Sequence, residues 1–154
     1  MSLWHKIQWT AILFGLGLAS VDQFWPTSWW FEVQKLAVID TVEGQDPSVV
    51  YVRTVGHGFA GRWFAVVHLA KAGETMPSPG EFNPVCEVGG DADAIPTTQG
   101  DEMTSTTLGR FMQSDCWQGL KPGHYYLRAS WHFRGVVSER TVVAYSNVFS
   151  IKAK

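Results

Sequence analysis

Two cysteines, five histidines and one run of acids are the side chains of this sequence that could do chemistry. Cys86 and Cys116 are the only cysteines. In a β-rich domain exported to an oxidising compartment, such a pair forms a disulfide. The bond would close a loop of about 30 residues and stabilise the fold by ~3–4 kcal/mol on the loop-entropy model. In a reducing compartment the same two residues would be buried free thiols. A thiol nucleophile needs a nearby base to lower its pKa. His124 and His132 are close in sequence to Cys116, but strand spacing turns His132 away from the core. His5, His57, His68, His124 and His132 lack the paired spacing of a zinc site. Asp91-Ala92-Asp93 starts like a calcium loop but lacks the later ligands and the closing Glu. There is no G-x-S-x-G, no P-loop and no dinucleotide fingerprint. Loop acids alone define no glycosidase pair. The sequence therefore reads as a non-enzyme with no cofactor and no metal.

The element that must position these groups is residues 120–134, LKPGHYYLRASWHFR. Tyr125, Leu127, Ala129, Trp131 and Phe133 alternate with Tyr126, Arg128, Ser130, His132 and Arg134. A period of two with one apolar face predicts a half-buried antiparallel strand. The preceding Leu-x-Pro-Gly-x-Tyr has the form of a tyrosine corner. Further strands are expected at 32–40, 49–55, 62–70, near 85–88, at 106–112 and at 140–151, with a bulge at Ser146-Asn147. Trp63 is expected at the centre of the core. These seven strands predict an all-β fold, a seven-stranded sandwich of the immunoglobulin or fibronectin-III type.

In that topology the third and sixth strands are neighbours in one sheet. Their outer faces bring Arg62, Phe64 and His68 beside Tyr126, Arg128, His132 and Arg134. Arg62, His68, Tyr126, Arg128, His132 and Arg134 are thus the candidate binding residues, a cationic and aromatic surface for an anionic or aromatic partner. The alternative is the ordinary solvated face of an antiparallel sheet.

Residues 1–31 differ from the rest. Residues 9–21, WTAILFGLGLASV, carry no charge. Trp4 and Trp9 precede most of this run and Trp25, Trp29 and Trp30 follow it, in the manner of two membrane-interface belts. An N-terminal transmembrane helix is expected, with Lys6 on the inner side and the remainder outside. Ala11, Gly15 and Ala19 form a small-residue stripe through which two helices could pair as a homo-oligomer. The rival readings are a signal peptide cut before Ser20, leaving a soluble secreted domain, and a buried soluble helix. Residues 32–154 then form the β-domain, with an acidic irregular loop at 72–109.

The 154 residues are 45% hydrophobic, enough for one packed domain, while aromatics are high at 14% and charged residues low at 17%. The stretch 72–109 holds seven acids and no Lys or Arg, so the rest of the chain is mildly basic. No basic run or base-stacking platform exists, which argues against nucleic acid.

At Tyr51-Val52-Arg53-Thr54-Val55, at Phe59 to Trp63, at Cys116 with Leu120-x-Pro122-Gly123-x-Tyr125, and at Ser146-Asn147-Val148-Phe149, the chain resembles small proteins encoded by tailed phages and prophages. Those have one N-terminal membrane segment and a β-rich ectodomain, with no assigned activity. The resemblance implies a single-pass protein of the bacterial inner membrane with its domain in the periplasm. Its partners would be the lipid bilayer and an unidentified protein. The resemblance rests on packing and turn motifs, so it implies placement and not chemistry. The alternative within the same resemblance is a virion or assembly component, for decoration or attachment. Asp22-Gln23 and the acidic loop depart from the pattern.

Overall fold

The computed structural model describes residues 3–71, 73, 83–94, 102–134 and 138–154. Helix α1 (Leu3–Phe24) leads through a 3-10 turn (Thr27–Trp29) into the strands. These are β1 (Phe31–Val38), β2 (Thr41–Val42), β3 (Ser48–Val55), β4 (Phe59–Leu69), β5 (Pro84–Ala94) and β6 (Glu102–Thr107). A short helix α2 (Leu108–Met112) and a 3-10 turn (Cys116–Gly119) precede β7 (Gly123–Arg134), β8 (Glu139–Tyr145) and β9 (Phe149–Lys152). The chain is mostly β, with nine strands among the described residues where seven were expected. The added ones are β2 and the division of the last strand into β8 and β9.

The strands form two sheets. One has the order β1-β3-β6, the other β2-β9-β7-β4-β5, with β8 also paired to β7. All pairings are antiparallel except β2 with β9. A common core joins the sheets: Leu36, Val38 and Val49 from the first meet Ala65, Val67, Leu127, Ala129, Phe149 and Ile151 from the second. The alternation in β7 has its expected sense, because Tyr125, Leu127, Ala129 and Phe133 are all buried. Trp131 is half-buried against the same core. The Tyr125 hydroxyl donates to the Lys121 carbonyl at 2.8 Å, the bond of a tyrosine corner.

Ser146 explains the break in the last strand. Its N–H donates to the Leu127 carbonyl at 2.8 Å. Its hydroxyl accepts from the Leu127 N–H at 2.9 Å. The side chain thus replaces a ladder bond that a continuing strand would have supplied through its backbone. Beside it, the Asn147 amide accepts from the Val38 N–H and donates to the Val38 carbonyl, both at 2.9 Å. One side chain therefore satisfies both backbone groups at the end of β1 and ties the two sheets together.

Three expectations change, and a fourth, the membrane-spanning helix, is not shown. The strand expected at 106–112 is instead the end of β6 followed by α2. The Thr107 side chain accepts from the Arg110 N–H, and Asp46 Oδ1 accepts from the Gly109 N–H. Two of the helix's orphan N–H groups are thus satisfied, so capping outweighs strand propensity here. The second change is β5, which extends through Gly89-Gly90 to Ala94, so Asp91 and Asp93 sit on a strand and not in a loop. Gly89 is required there: a Cβ would lie 2.5 Å from the Phe64 ring. Residues 72, 74–82 and 95–101 of the expected acidic loop, and 135–137 of the expected hairpin, lie outside the described residues. Thirdly, Trp63 packs at the side of the core and stays half-exposed. The core centre is taken by Ala65, Val67, Leu127 and Ala129.

The fourth concerns the N-terminus. Helix α1 is 22 residues long. Trp4, Ile7, Trp9, Ile12, Leu13, Phe14 and Leu16 are all exposed. Among the described residues, no helix is long and apolar enough to cross a membrane. The reason is visible in the sequence: the uncharged run of residues 9–21 ends at Asp22-Gln23 and is preceded by His5-Lys6 and Gln8.

Candidate functional site

Strands β4 and β7 are direct neighbours, and their register sets the face that carries the candidate residues. Arg62 stands opposite His132, Phe64 opposite Ser130, Val66 opposite Arg128 and His68 opposite Tyr126. Directly opposed residues of an antiparallel pair share one side of the sheet. The six candidate binding residues therefore share a face, but they do not share an environment.

One half is open. Arg62, His132 and Arg134 are exposed, and Phe64 is half-buried. The Arg62 guanidinium lies 5.6 Å from the centre of the Phe64 ring. Phe64 meets the His132 ring edge-on at 5.5 Å. The Thr141 hydroxyl and His132 Nδ1 are 3.1 Å apart. With Glu139 of β8 these residues line a groove of about 370 Å³. Three guanidiniums, of Arg62, Arg134 and Arg140, outnumber the Glu139 carboxylate and that of Asp91, which stands opposite Arg62 on β5, so the groove is cationic and suited to hydrogen-bonding an anionic group from above the sheet.

The other half is closed. His68 is 2% exposed and Tyr126 is 4% exposed. Their rings stack at 4.9 Å with planes 17° apart. Arg128 is half-buried. The expectation that His68 and Tyr126 present a solvated binding face is thus corrected. Alternation decides which side of a sheet a residue takes, whereas exposure depends on what else packs on that side.

Burial pushes the His68 imidazole below its ordinary value of 6.5, the Arg128 charge pushes it the same way, and Glu87 opposes both. The folded state therefore favours the neutral ring more strongly than the unfolded chain does. The contribution to stability is complete above about pH 6.5 and is lost as pH falls below it, because the unfolded state takes up the proton first. The melting temperature should fall between about pH 7.5 and pH 5, and His68→Phe, which keeps a ring against Tyr126, should flatten that fall. Parallel curves for the two proteins would remove His68 from the acid response.

The tryptophans divide as well. Trp4 and Trp9 are exposed on α1, and Trp29 is exposed at the junction with the β-domain. Trp25 meets Trp29 edge-on at 5.2 Å. Trp30, by contrast, packs with Phe31, Val55, Phe59 and Phe133 in a second core cluster. The Arg140 guanidinium lies 5.2 Å from its ring centre and donates to the Trp25 carbonyl at 2.9 Å. Gly56 lets this junction close: a Cβ there would sit 1.9 Å from the Trp29 carbonyl oxygen. Trp30 and Arg140 thus seat the segment that follows α1 on the β-domain. Ala11 and Gly15 of the small-residue stripe lie on exposed helix surface, while the Ala19 side chain is outside the described residues.

Cys86 and Cys116 are bonded, with Cα atoms 5.9 Å apart. The bond ties β5 to the turn that precedes β7. Among the described residues no group of three or more His, Cys, Asp or Glu could hold a metal ion.

A second concavity was not foreseen. It opens between the two sheets, where the edge strands β5 and β6 face each other, and measures about 520 Å³. Tyr51, Trp63, Phe111 and Trp131 line it. Trp63 and Trp131 read in the sequence as core residues, and only the packed sheets show the space between their rings and those of Tyr51 and Phe111. Compared with known proteins, the chain matches no family model and no curated protein.

Proposed function

We propose that the chain is a non-enzymatic interaction module, held at a membrane by its N-terminal helix and presenting an immunoglobulin-like β-domain. The observation that carries this reading is α1. Among the described residues of α1 the large apolar side chains are exposed around the helix, and none belongs to either core cluster. A helix apolar on all sides is stable only when lipid or another protein covers it. From Trp4 to Phe24, the last residue of α1, the helical rise is about 30 Å, close to the ~30 Å of a bilayer core. That spacing lets the Trp side chains meet the two interfaces while Lys6 and Asp22 stay near them.

The immunoglobulin-like assignment rests on neighbours and one turn. β1, β3 and β6 pair as the A, B and E strands do, and β4, β7 and β8 as C, F and G. The tyrosine corner stands at the start of the strand that corresponds to F. The cystine differs, since it leaves β5 rather than joining the two central strands. Together with the resemblance to phage and prophage proteins, this supports a single-pass protein of the bacterial inner membrane with a periplasmic domain. The open half of the β4–β7 face is its binding surface for an anionic protein partner.

The rival is a soluble secreted domain left after cleavage near Ala19, for which the small residues Gly17 and Ala19 before Ser20 speak. Fractionating expressing cells and phage particles, followed by intact mass, separates the readings. Full-length protein in the inner membrane is the expected result. A soluble periplasmic species lacking the first nineteen or so residues would establish the rival. Recovery only in particles would make the chain a virion component.

A further inference from the structure

We infer that the inter-sheet cleft is a binding site for a neutral saccharide, a ligand class that the cationic face and the membrane helix do not address. On one wall Trp63 and Trp131 are cross-strand partners of β4 and β7, both half-exposed. On the other, the Tyr51 and Phe111 rings meet at 5.5 Å and 67°. Thr104 and Thr106 of β6 stand opposite Tyr51 and Val49, so register puts them on the same side of that sheet as the Tyr51 ring. Gly90 gives the Trp63 indole its place, since a Cβ there would come within 3.2 Å of Nε1.

The volume of about 520 Å³ suits a small ligand and is not filled by the core residues beneath it. Four aromatic side chains supply flat apolar surface, and threonine hydroxyls beside them donate and accept hydrogen bonds. Arg53 and Arg110 line the cleft, while Asp91 and Asp93, opposite Arg62 and Ala60, belong to the other side of β5 and border the cleft at its edge. The two guanidiniums donate hydrogen bonds to neutral hydroxyl oxygens as well as to charged ones, so the cleft does not require a charged ligand. A molecule with an apolar C–H face and a rim of hydroxyls matches the rings, the threonines and the arginines, and a pyranose ring is such a molecule. The cleft belongs to the β-domain, so the inference does not depend on how α1 is placed.

The test uses the full chain in a zwitterionic detergent without a sugar headgroup. Trimers of neutral hexose and of N-acetylhexosamine are titrated at millimolar concentration, followed by tryptophan fluorescence and calorimetry. At least one trimer should bind saturably and alter the emission. Thr104→Val with Thr106→Val keeps the β-branched shape and removes two hydroxyls. It should weaken binding about tenfold or more while leaving the melting temperature unchanged. Absence of saturable binding by every trimer would overturn the inference. Binding undiminished in the double variant would also overturn it, by placing the sugar elsewhere. An extended peptide that occupies the cleft in preference to every trimer would assign the edges of β5 and β6 to strand addition instead.

Discussion

Replacing Ile12, Leu13, Phe14 and Leu16 together by Gln should move the protein from the membrane fraction to the soluble fraction. All four side chains are at least half exposed, Phe14 the most at 68%. Taking each from water into an apolar phase is worth roughly 1.5–3 kcal/mol. Four together give about 6 kcal/mol or more, on the order of ten-thousand-fold in partitioning. Glutamine is nearly as good a helix former as leucine, so α1 itself should survive. The β-domain should melt as before, because none of these four side chains belongs to its two core clusters. Sedimentation of membranes with immunodetection reads the first outcome, and thermal melting of the purified protein reads the second. A variant that stays with the membrane would sink the helix as the anchor. A variant that loses the β-domain's melting transition would show that α1 packs on the domain, the opposite of an exposed helix.

Removing the disulfide by Cys86→Ala with Cys116→Ala should cost about 3–4 kcal/mol, or roughly 10 °C in melting temperature. The two residues are 30 apart in sequence, which sets the entropy that the bond removes from the unfolded chain. In the folded state Cys86 is buried in the main core, with the Met112 sulfur 3.9 Å from its own. The bond thus holds the edge strand β5 to the segment around α2 and the start of β7. Loosening it should also widen the inter-sheet cleft, which β5 borders. Mass spectrometry of alkylated, unreduced protein should find neither cysteine labelled. Ready labelling of both without denaturant, or a melting temperature indifferent to reduction, would remove the bond and its support for an oxidising compartment.

Some of this was legible in residue order because it follows from local geometry. Alternate side chains on a strand point to opposite sides, so the pattern from Tyr125 to Phe133 identified the buried face of β7 without reference to any other segment. Leu-x-Pro-Gly-x-Tyr described a turn whose hydrogen bond spans four residues, well within reach of a local signal. The slipped apolar phase at Ser146-Asn147 marked the place where the last strand divides. Two cysteines in a β-rich chain pointed to the bond between them.

Other features depend on segments far apart in the chain, and only the packed structure decides them. Period two assigned His68 and Tyr126 to the outer face correctly, yet it carried no information on what would cover them. Thr107 became a helix cap rather than a strand residue because Asp46, more than sixty residues away, also serves the same helix start. Trp30 left the aromatic belt for the core because Arg140 and the close approach at Gly56 seat it there. The cleft exists because four large rings meet at the mouth of two sheets whose centre is filled by Ala65 and Ala129. A side chain's direction is a property of its own strand, but its environment is a property of the pair of sheets.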